Sequence, residues 1–434
     1  MKENGVRSVY QHVFIGVSWA ILMTHTSKLI IGSLSQMLKG KKIALGVTGS
    51  VAAVECVTIS RLLMRHGAEV YPIMSPMAHK IVHPHLLEWA TGNPVVVELT
   101  GQIEHVDLAG KHAERVDLYL IAPATANTIG KIANGIDDTP VTTTATSAIG
   151  AGIPLLIVPA MHRSMYDHPG VLENMEKLRR MGVKVMRSRM EEAKAKIPSP
   201  EAIIEQAISM LSPQDLEGKH FIVTAGPTRG WIDRVRFITN PSSGRMGIEV
   251  AREIVFRGGT VDLVLGPTES KPPMGVDVTN VETTAEMLEA VLNSLKKTKT
   301  SAVVSAAAVL DYVPLEKEES KMASGKSELS VKLRPTPKII EEVRDKYKRM
   351  YIVGFKVESE VSDKELEKRA KAKIDAGICD LVVANDAHRE GVAFGTDTNE
   401  VLIVSSEGVV KKVPLSSKRD VAREIVDVMI QRMK

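Results

Sequence analysis

Short apolar runs alternate along this chain with segments whose apolar residues recur at helical spacing, and glycine or proline turns separate the two kinds. The run "KKIALGV" ends in the turn "TGS" and leads into "VAAVECVTISRLLMRHG", whose periodicity predicts a helix that Gly67 is placed to stop. "AEVYPIMS" is the next predicted strand. "VDLYLIAPA" and "IPLLIVPA" are two more, each ending in a Pro-Ala loop, and "MGVKVM" follows the predicted helix "VLENMEKLRR". This alternation predicts βαβ units on a parallel sheet.

The pattern then restarts. After the polar stretch "SPQDLEGK" (Ser212 to Lys219) come the strand "HFIVTAG", a long loop and the helix "GIEVAREIVFRGG", with further strands at "VDLVLG", "SAVVSAAAV", "YIVGFKV", "CDLVVAND" and "EVLIVSS". The expected fold is α/β, two doubly wound Rossmann-like domains joined near residue 215. A chain of 434 residues has the length for that division. No short-period repeat or low-complexity tract interrupts it.

Composition narrows the partners. Hydrophobic residues make up 44% and charged residues 25%, the balance of a globular protein with large cores. The 56 basic residues are interspersed with 52 acidic ones, so no basic stripe for nucleic acid stands out, and 4% aromatic residues are too few for base-stacking platforms. The two cysteines, Cys56 and Cys379, lie far apart and point to a reducing compartment, taken here as cytoplasmic, with no disulfide framework. The apolar run Val13 to Met23 is too short to span a bilayer and is expected to be an appendage or to precede the true start, so no membrane partner is expected.

In doubly wound sheets ligands sit beyond the carboxyl ends of the strands. In the first domain the loops there are "GVTGSVAA", "MSPMA", "APATANTIG" and "PAMHRSMY". Gly49, Ser50 and Ser75 suit a phosphate, because small residues at a helix start offer backbone N–H groups and a favourable dipole. The first turn is neither G-x-G-x-x-G nor a P-loop, and "ASGKS" (Ala323 to Ser327) lacks the leading glycine of one, which disfavours ordinary dinucleotide or Walker-type binding. His79, His83 and His85 cluster in "HKIVHPH" without a cysteine or carboxylate to complete a zinc set. Taken alone, His105 reads as a structural histidine, Asn127 as a helix N-cap and "NPSSG" as a surface turn.

Longer motifs change that balance. "LGVTGSVAAVE", "IEHVDLAGKHAERVDLYLIAPATANTIGKIANG" and "PAMHRSMY" resemble the flavin-dependent cysteine decarboxylase family, while "VTAGPTRGWIDRVRFITNPSSGRMG", "AAAVLDY" and "CDLVVAND" resemble phosphopantothenate-cysteine ligase. Together, over roughly residues 40 to 430, the chain resembles the bifunctional coenzyme A biosynthesis family that fuses phosphopantothenoylcysteine decarboxylase to the ligase, in an archaeal-like variant. The resemblance implies an N-terminal extension (1–40), a flavodoxin-like FMN domain (41–190), a flap and linker (191–217) and a ligase domain (218–434).

It also implies site roles. FMN is expected to be held by Gly49, Ser50, Ser75, Thr125 and Asn127, with His105 and His162 catalytic and Met161 and His162 on the substrate carboxylate. In the second domain Asn240 matches the residue linked to an acyl-cytidylate and is expected to be catalytic and substrate-binding, with Ser242, Ser243 and Gly244 as the substrate turn. Ala306, Asp311, Lys321, Pro337, Phe355 and Lys373 are expected at CTP, Lys321 also as a catalytic cation. The implied substrates are 4'-phosphopantothenate, cysteine and CTP with Mg²⁺, and the implied assembly is a homo-oligomer of flavin-domain trimers joined by ligase dimers.

Three departures from the bacterial pattern stand out. His162 replaces an asparagine, and a neutral or protonated imidazole can still donate to a carboxylate. The flap "RSRMEEAKAKIPSPEA" lacks the bacterial cysteine, leaving Lys194 or Lys196, or solvent, to supply its proton. A family lysine four residues after Lys373 is Gly377, for which Lys371 is a candidate substitute. Two other classes share the α/β pattern: a nicotinamide oxidoreductase, which the missing G-x-G-x-x-G disfavours, and a regulatory flavoprotein subunit, which would need no ligase half.

Overall fold

The computed structural model describes residues 25–191, 194–322, 329–392 and 395–433; Val13 to Met23 and "ASGKS" lie outside them. Strands β1 (Lys42–Val47), β2 (Glu69–Met74), β3 (Leu118–Ala124), β4 (Leu155–Pro159) and β6 (Lys184–Val185) form a parallel sheet ordered β2-β1-β3-β4-β6. The short strand β5 (Met161–His162) leaves this sheet and pairs with β8 (Lys194–Lys196), itself paired with β7 (Arg189–Glu191). Strands buried on both faces need apolar residues at every position, which is why the parallel strands read as continuous runs. Alternate residues still part: Ile43, Leu45 and Val47 enter one core while Ala44 enters the other.

The second half builds an eight-stranded sheet ordered β13-β12-β9-β14-β17-β18-β19-β20. Its members are β9 (His220–Ala225), β12 (Thr260–Leu265), β13 (Asp277–Asn280), β14 (Ala302–Ser305), β17 (Tyr351–Glu358), β18 (Leu381–Asp386), β19 (Thr398–Ser405) and β20 (Gly408–Ser417). Two small hairpins flank it, β10 (Arg229–Trp231) with β11 (Phe237–Thr239), and β15 (Tyr312–Pro314) with β16 (Leu333–Pro335). The alternating pattern predicts a parallel sheet throughout, but β19 and β20 are antiparallel. The reason is the connection: Ser406 and Glu407 are too short a link for a crossover, and Gly408 at φ +101° closes the turn.

In each sheet the strand order reverses, at β1/β3 in the first and β9/β14 in the second, and both switch points open toward strand carboxyl ends. Within residues 191–217, the helix Pro200–Leu211 buries Ile203, Ile204, Ala207 and Ile208 in the first core, and Phe256 of the second half joins them there. Both cysteines are free and buried, as their apolar surroundings predict. No helix among the described residues is long and apolar enough to cross a membrane.

The helix Arg245–Phe256 packs on the final helix, Lys418–Arg432, and carries a buried carboxyl group at that contact. Glu253 is 3% exposed, its Oε2 has no hydrogen-bond partner among the described residues, and Arg257 approaches only to 3.8 Å while bonding Asp215 and Asp427. Burial pushes its carboxyl up to about 7. The folded state therefore keeps a proton that the unfolded chain releases, and stability falls as pH rises from about 4.5 to about 7. Glu253→Gln is expected to flatten that limb and to add about 2–3 kcal/mol above neutrality, measured by denaturant unfolding at a series of pH values.

Candidate functional site

Three turns converge at the first switch point. After β1, the Thr48 hydroxyl donates to Pro123 O (2.8 Å) and accepts from Thr125 N (3.1 Å), tying the "TGS" turn to the "PATAN" loop. After β2, Ser75 N donates to Val47 O (3.0 Å), so the buried Ser75 sits beside the same turn. Gly49 is obligatory there because a Cβ would lie 2.5 Å from Met77 Cβ. Ser50 caps the short helical turn Val51–Glu55, and Val51, Val54 and Met77 are exposed around it. The Gly49 N–H and the Ser50 and Ser75 hydroxyls, next to uncovered apolar side chains, suit a ligand with an anionic end and a flat apolar body.

His105 lies on the helix Glu104–Ala109, directly after Ile103, a β-branched residue held at φ +52°. Such strain persists only where the surroundings fix it, and it is concentrated at functional sites. Here the preceding turn is fixed by Glu104, which accepts from Thr100 N (3.0 Å) and from its hydroxyl. His105 Nδ1 is buried with no partner among the described residues, an uncompensated polar atom where a ligand group can bind. Asn127 is not the helix cap that its spacing suggests: Thr125 is, accepting from Thr128 N (3.3 Å), so the exposed Asn127 is left on the outer face of the first turn. His162 is exposed at the start of the helix Arg163–Tyr166 and pairs in register with Lys194, which brings the flap strand to the "PAMHRSMY" loop; Met161 packs on the core beneath. His168, left to solvent by its sequence, is exposed and caps the helix Pro169–Arg180, accepting from Gly170 N (3.1 Å).

The second switch point holds a cavity of about 510 Å³. Asn240, Ser242, Ser243, Gly244, Ala306, Asp311, Pro337, Phe355 and Lys373, all singled out from the sequence, line it together. Asn240 Nδ2 donates to Ala308 O (3.1 Å) and Val309 O (3.2 Å), bridging the loops after β11 and β14. Gly244, at φ +70°, leaves no space for a Cβ, which would lie 3.0 Å from Gly226 N, and the helix Arg245–Phe256 starts directly behind it. Asp311 is paired with Lys338. Burial pulls Lys373 below the usual lysine range.

Some placements differ from expectation. Lys321 is exposed and outside the cavity lining, on a segment anchored by Met322, whose N donates to Asp233 Oδ2 (3.2 Å) and whose O accepts from Arg236 (2.6 Å). Lys371, the candidate substitute for the lysine lost at Gly377, is outside the cavity lining and donates to Asp375 (3.0 Å) and Ser406 O (3.0 Å). The cavity's cations are Arg245, Lys338, Lys356, Lys373 and Lys418, against the carboxylates Asp311 and Glu341. Sequence reasoning missed Arg245, Lys338, Lys356 and Lys418 because a cation near a strand end or helix start looks solvated until the fold closes over it. Among the described residues no His, Cys, Asp and Glu cluster could hold a metal ion, and His83 instead caps the helix Pro84–Thr91.

These two clusters, one beyond each sheet, define a two-part α/β protein with a ligand site in each half. The Flavoprotein family model matches residues 31–212, and the DNA/pantothenate metabolism flavoprotein C-terminal domain matches residues 216–433. The coenzyme A biosynthesis bifunctional protein CoaBC of Thermococcus kodakarensis is 50% identical over 406 residues, covering 93% of this chain and 98% of that protein. Its Methanocaldococcus jannaschii counterpart is 35% identical over 412 residues, covering 94% and 98%. The crystal structure of a CoaBC C-terminal domain is 32% identical and covers 50% of this chain and 97% of its own, with a TM-score of 0.42. The chain belongs to the CoaBC family of bifunctional coenzyme A biosynthesis enzymes.

Proposed function

We propose that residues 218–434 ligate 4'-phosphopantothenate to cysteine at the expense of CTP, and that residues 41–190 decarboxylate the product, 4'-phosphopantothenoylcysteine, to 4'-phosphopantetheine with FMN. The observation that carries the ligase reading is the convergence of Asn240, Ser242, Gly244, Asp311, Phe355 and Lys373 on one cavity at a switch point. In the first step a carboxylate oxygen bonds to the α-phosphorus of CTP and pyrophosphate leaves. The cysteine amine then attacks the acyl carbon, forms the amide and expels CMP. Lys373 and Lys356 line the cavity as cations for the charge that builds on phosphate, and Asn240 holds the two loops that enclose the acyl centre. Mg²⁺ enters with the triphosphate, held by phosphate and water.

In the flavin half Gly49, Ser50, Ser75 and Thr125, with Asn127 outside them, would line the FMN site, and the fit rests on the exposed apolar rim and the unpartnered His105 Nδ1. When bound, FMN supplies the oxidation of the cysteine moiety and the return of the electron pair. His105 holds or moves a proton at Nδ1, and His162 donates to the substrate carboxylate across from the flap strand. Trimers of flavin domains joined by ligase dimers in the cytoplasm complete this reading, consistent with two unpaired cysteines.

The test is mass spectrometry of products from purified protein given 4'-phosphopantothenate, cysteine, Mg²⁺ and either CTP or ATP. Formation of 4'-phosphopantetheine with CTP is expected. Accumulation of phosphopantothenoylcysteine would remove the decarboxylase half of the proposal, and no turnover with either nucleotide would remove both halves.

A further inference from the structure

Strand β17 and the helix Asp363–Asp375 hold between them a ladder of charges that runs to the edge of the cavity. Lys356 and Glu358, two residues apart, share a face of the strand, and Glu365, Arg369 and Lys373, four apart, share a face of the helix. Their contacts alternate in sign. Glu365 Oε1 meets Arg369 Nε at 2.8 Å, Arg369 Nη1 meets Glu358 Oε2 at 2.6 Å, and Glu358 Oε1 meets Lys356 Nζ at 2.9 Å. At Lys373 the alternation breaks, because the next charge, Lys356, repels its ammonium. These two lysines line the cavity, whereas Glu358, Glu365 and Arg369 stand behind them.

A ladder that ends in two neighbouring ammoniums leaves positive charge unmatched at the cavity wall, where the phosphates of a nucleotide would bring negative charge. Glu358 governs how much of that charge is available. Its side chain is 14% exposed. Burial by itself would raise its carboxyl, but the bonds to Lys356 and Arg369 outweigh burial and hold it below the usual glutamate range, so it stays charged beside both cations. Each of its oxygens takes one of them. Because Arg369 shares the carboxylate, Lys356 has a fixed partner without being cancelled by it, and two of its three protons remain for a ligand.

We infer that Glu358, braced by Arg369, is a positioning residue of the second half: it aims Lys356 into the cavity beside Lys373, so that the two ammoniums meet the charge that develops on nucleotide phosphate. This rests on the ligase reading for the source of that phosphate. A lysine stem is long and flexible, and one held at its tip is already in place when the phosphorus is attacked, whereas a free one must be ordered at that moment. The carboxylate also competes with phosphate for the same ammonium in the ground state. Removing it therefore strengthens nucleotide binding and slows the chemical step, a pairing of effects that general damage to β17 would not produce.

Calorimetric binding of CTP to the full chain, beside steady-state ligation with CTP varied, tests this. Glu358→Met is expected to tighten CTP binding by about 3–10-fold and to lower kcat by about 10-fold, and Glu358→Gln, which keeps an acceptor, to move both in the same directions by less. Lys356→Met is expected to weaken CTP binding by about 10-fold. Adding Glu358→Met to it is expected to change binding and kcat by no more than about twofold, since the glutamate acts through the lysine. Weaker CTP binding in Glu358→Met, an unchanged kcat, or effects that multiply in the double variant would each overturn the inference. An unaltered chain that binds CTP with this coupling but forms no phosphopantothenoylcysteine would keep Glu358 and Lys356 at the phosphates and remove the ligase reading instead.

Discussion

Asn240→Asp is expected to reduce ligation by about 10²–10³-fold while leaving decarboxylation of supplied phosphopantothenoylcysteine unchanged. The side chain keeps its size, but a carboxylate cannot donate, so the two bonds to Ala308 O and Val309 O are replaced by repulsion between like partial charges. Those bonds join the loop after β11 to the loop after β14, across the place where the strand order reverses, so their loss opens the floor on which the acyl group must meet both nucleotide and amine. The flavin half is built on a different sheet, and Asn240 has no place in its cores. Pyrophosphate release with and without cysteine, followed alongside product formation, separates the two chemical steps. Ligation within threefold of the unaltered enzyme would show that Asn240 only decorates the cavity rim.

The parallel strands were legible because burial on both faces requires apolar runs, which "VDLYLIAPA" carries through its strand and "CDLVVAND" carries up to the buried polar pair Asn385 and Asp386. The β19–β20 hairpin was harder to see. Its second strand, "GVVKKVPLSS", exposes much of one side and so mixes lysines with valines, which reads as surface rather than sheet. Residues that cap or clamp were the least visible. Thr125 and Asn127 are both good caps by type, and only the backbone settles that the first of them closes the helix.

For the sites, what the sequence showed was loops with unusual chemistry at predictable places, and the cavity collects nine of the residues those loops supplied. Cations behaved differently. Lys371 and Lys356 stand on neighbouring elements and each pairs with a carboxylate of its own element, Asp375 and Glu358, yet only Lys356 also lines the cavity. Lys418 follows a serine at a helix start, the ordinary signature of a surface cap, and becomes a site residue only because two helices and the edge hairpin enclose it. Charge placement of this kind depends on tertiary neighbours, which no local pattern encodes.

His105→Gln is the most selective probe of the first half. It is expected to lower decarboxylation by about 10²–10⁴-fold with ligation intact, so that phosphopantothenoylcysteine accumulates under conditions where the unaltered enzyme yields phosphopantetheine. Glutamine can hydrogen-bond from the same position but cannot take up and return a proton, which separates proton handling from simple occupancy. The structural reason to expect a large effect is the combination at this one helix start: a strained Ile103, a turn fixed by Glu104 and Thr100, and a buried Nδ1 with no partner among the described residues. A protein does not ordinarily hold β-branched backbone in the left-handed region to position a histidine that contacts nothing. Flavin absorbance of the variant supplies the control. Retained flavin with lost decarboxylation would place His105 at the substrate, lost flavin would move its role to cofactor binding, and decarboxylation within a few-fold of normal would return it to a structural histidine whose strain has another cause.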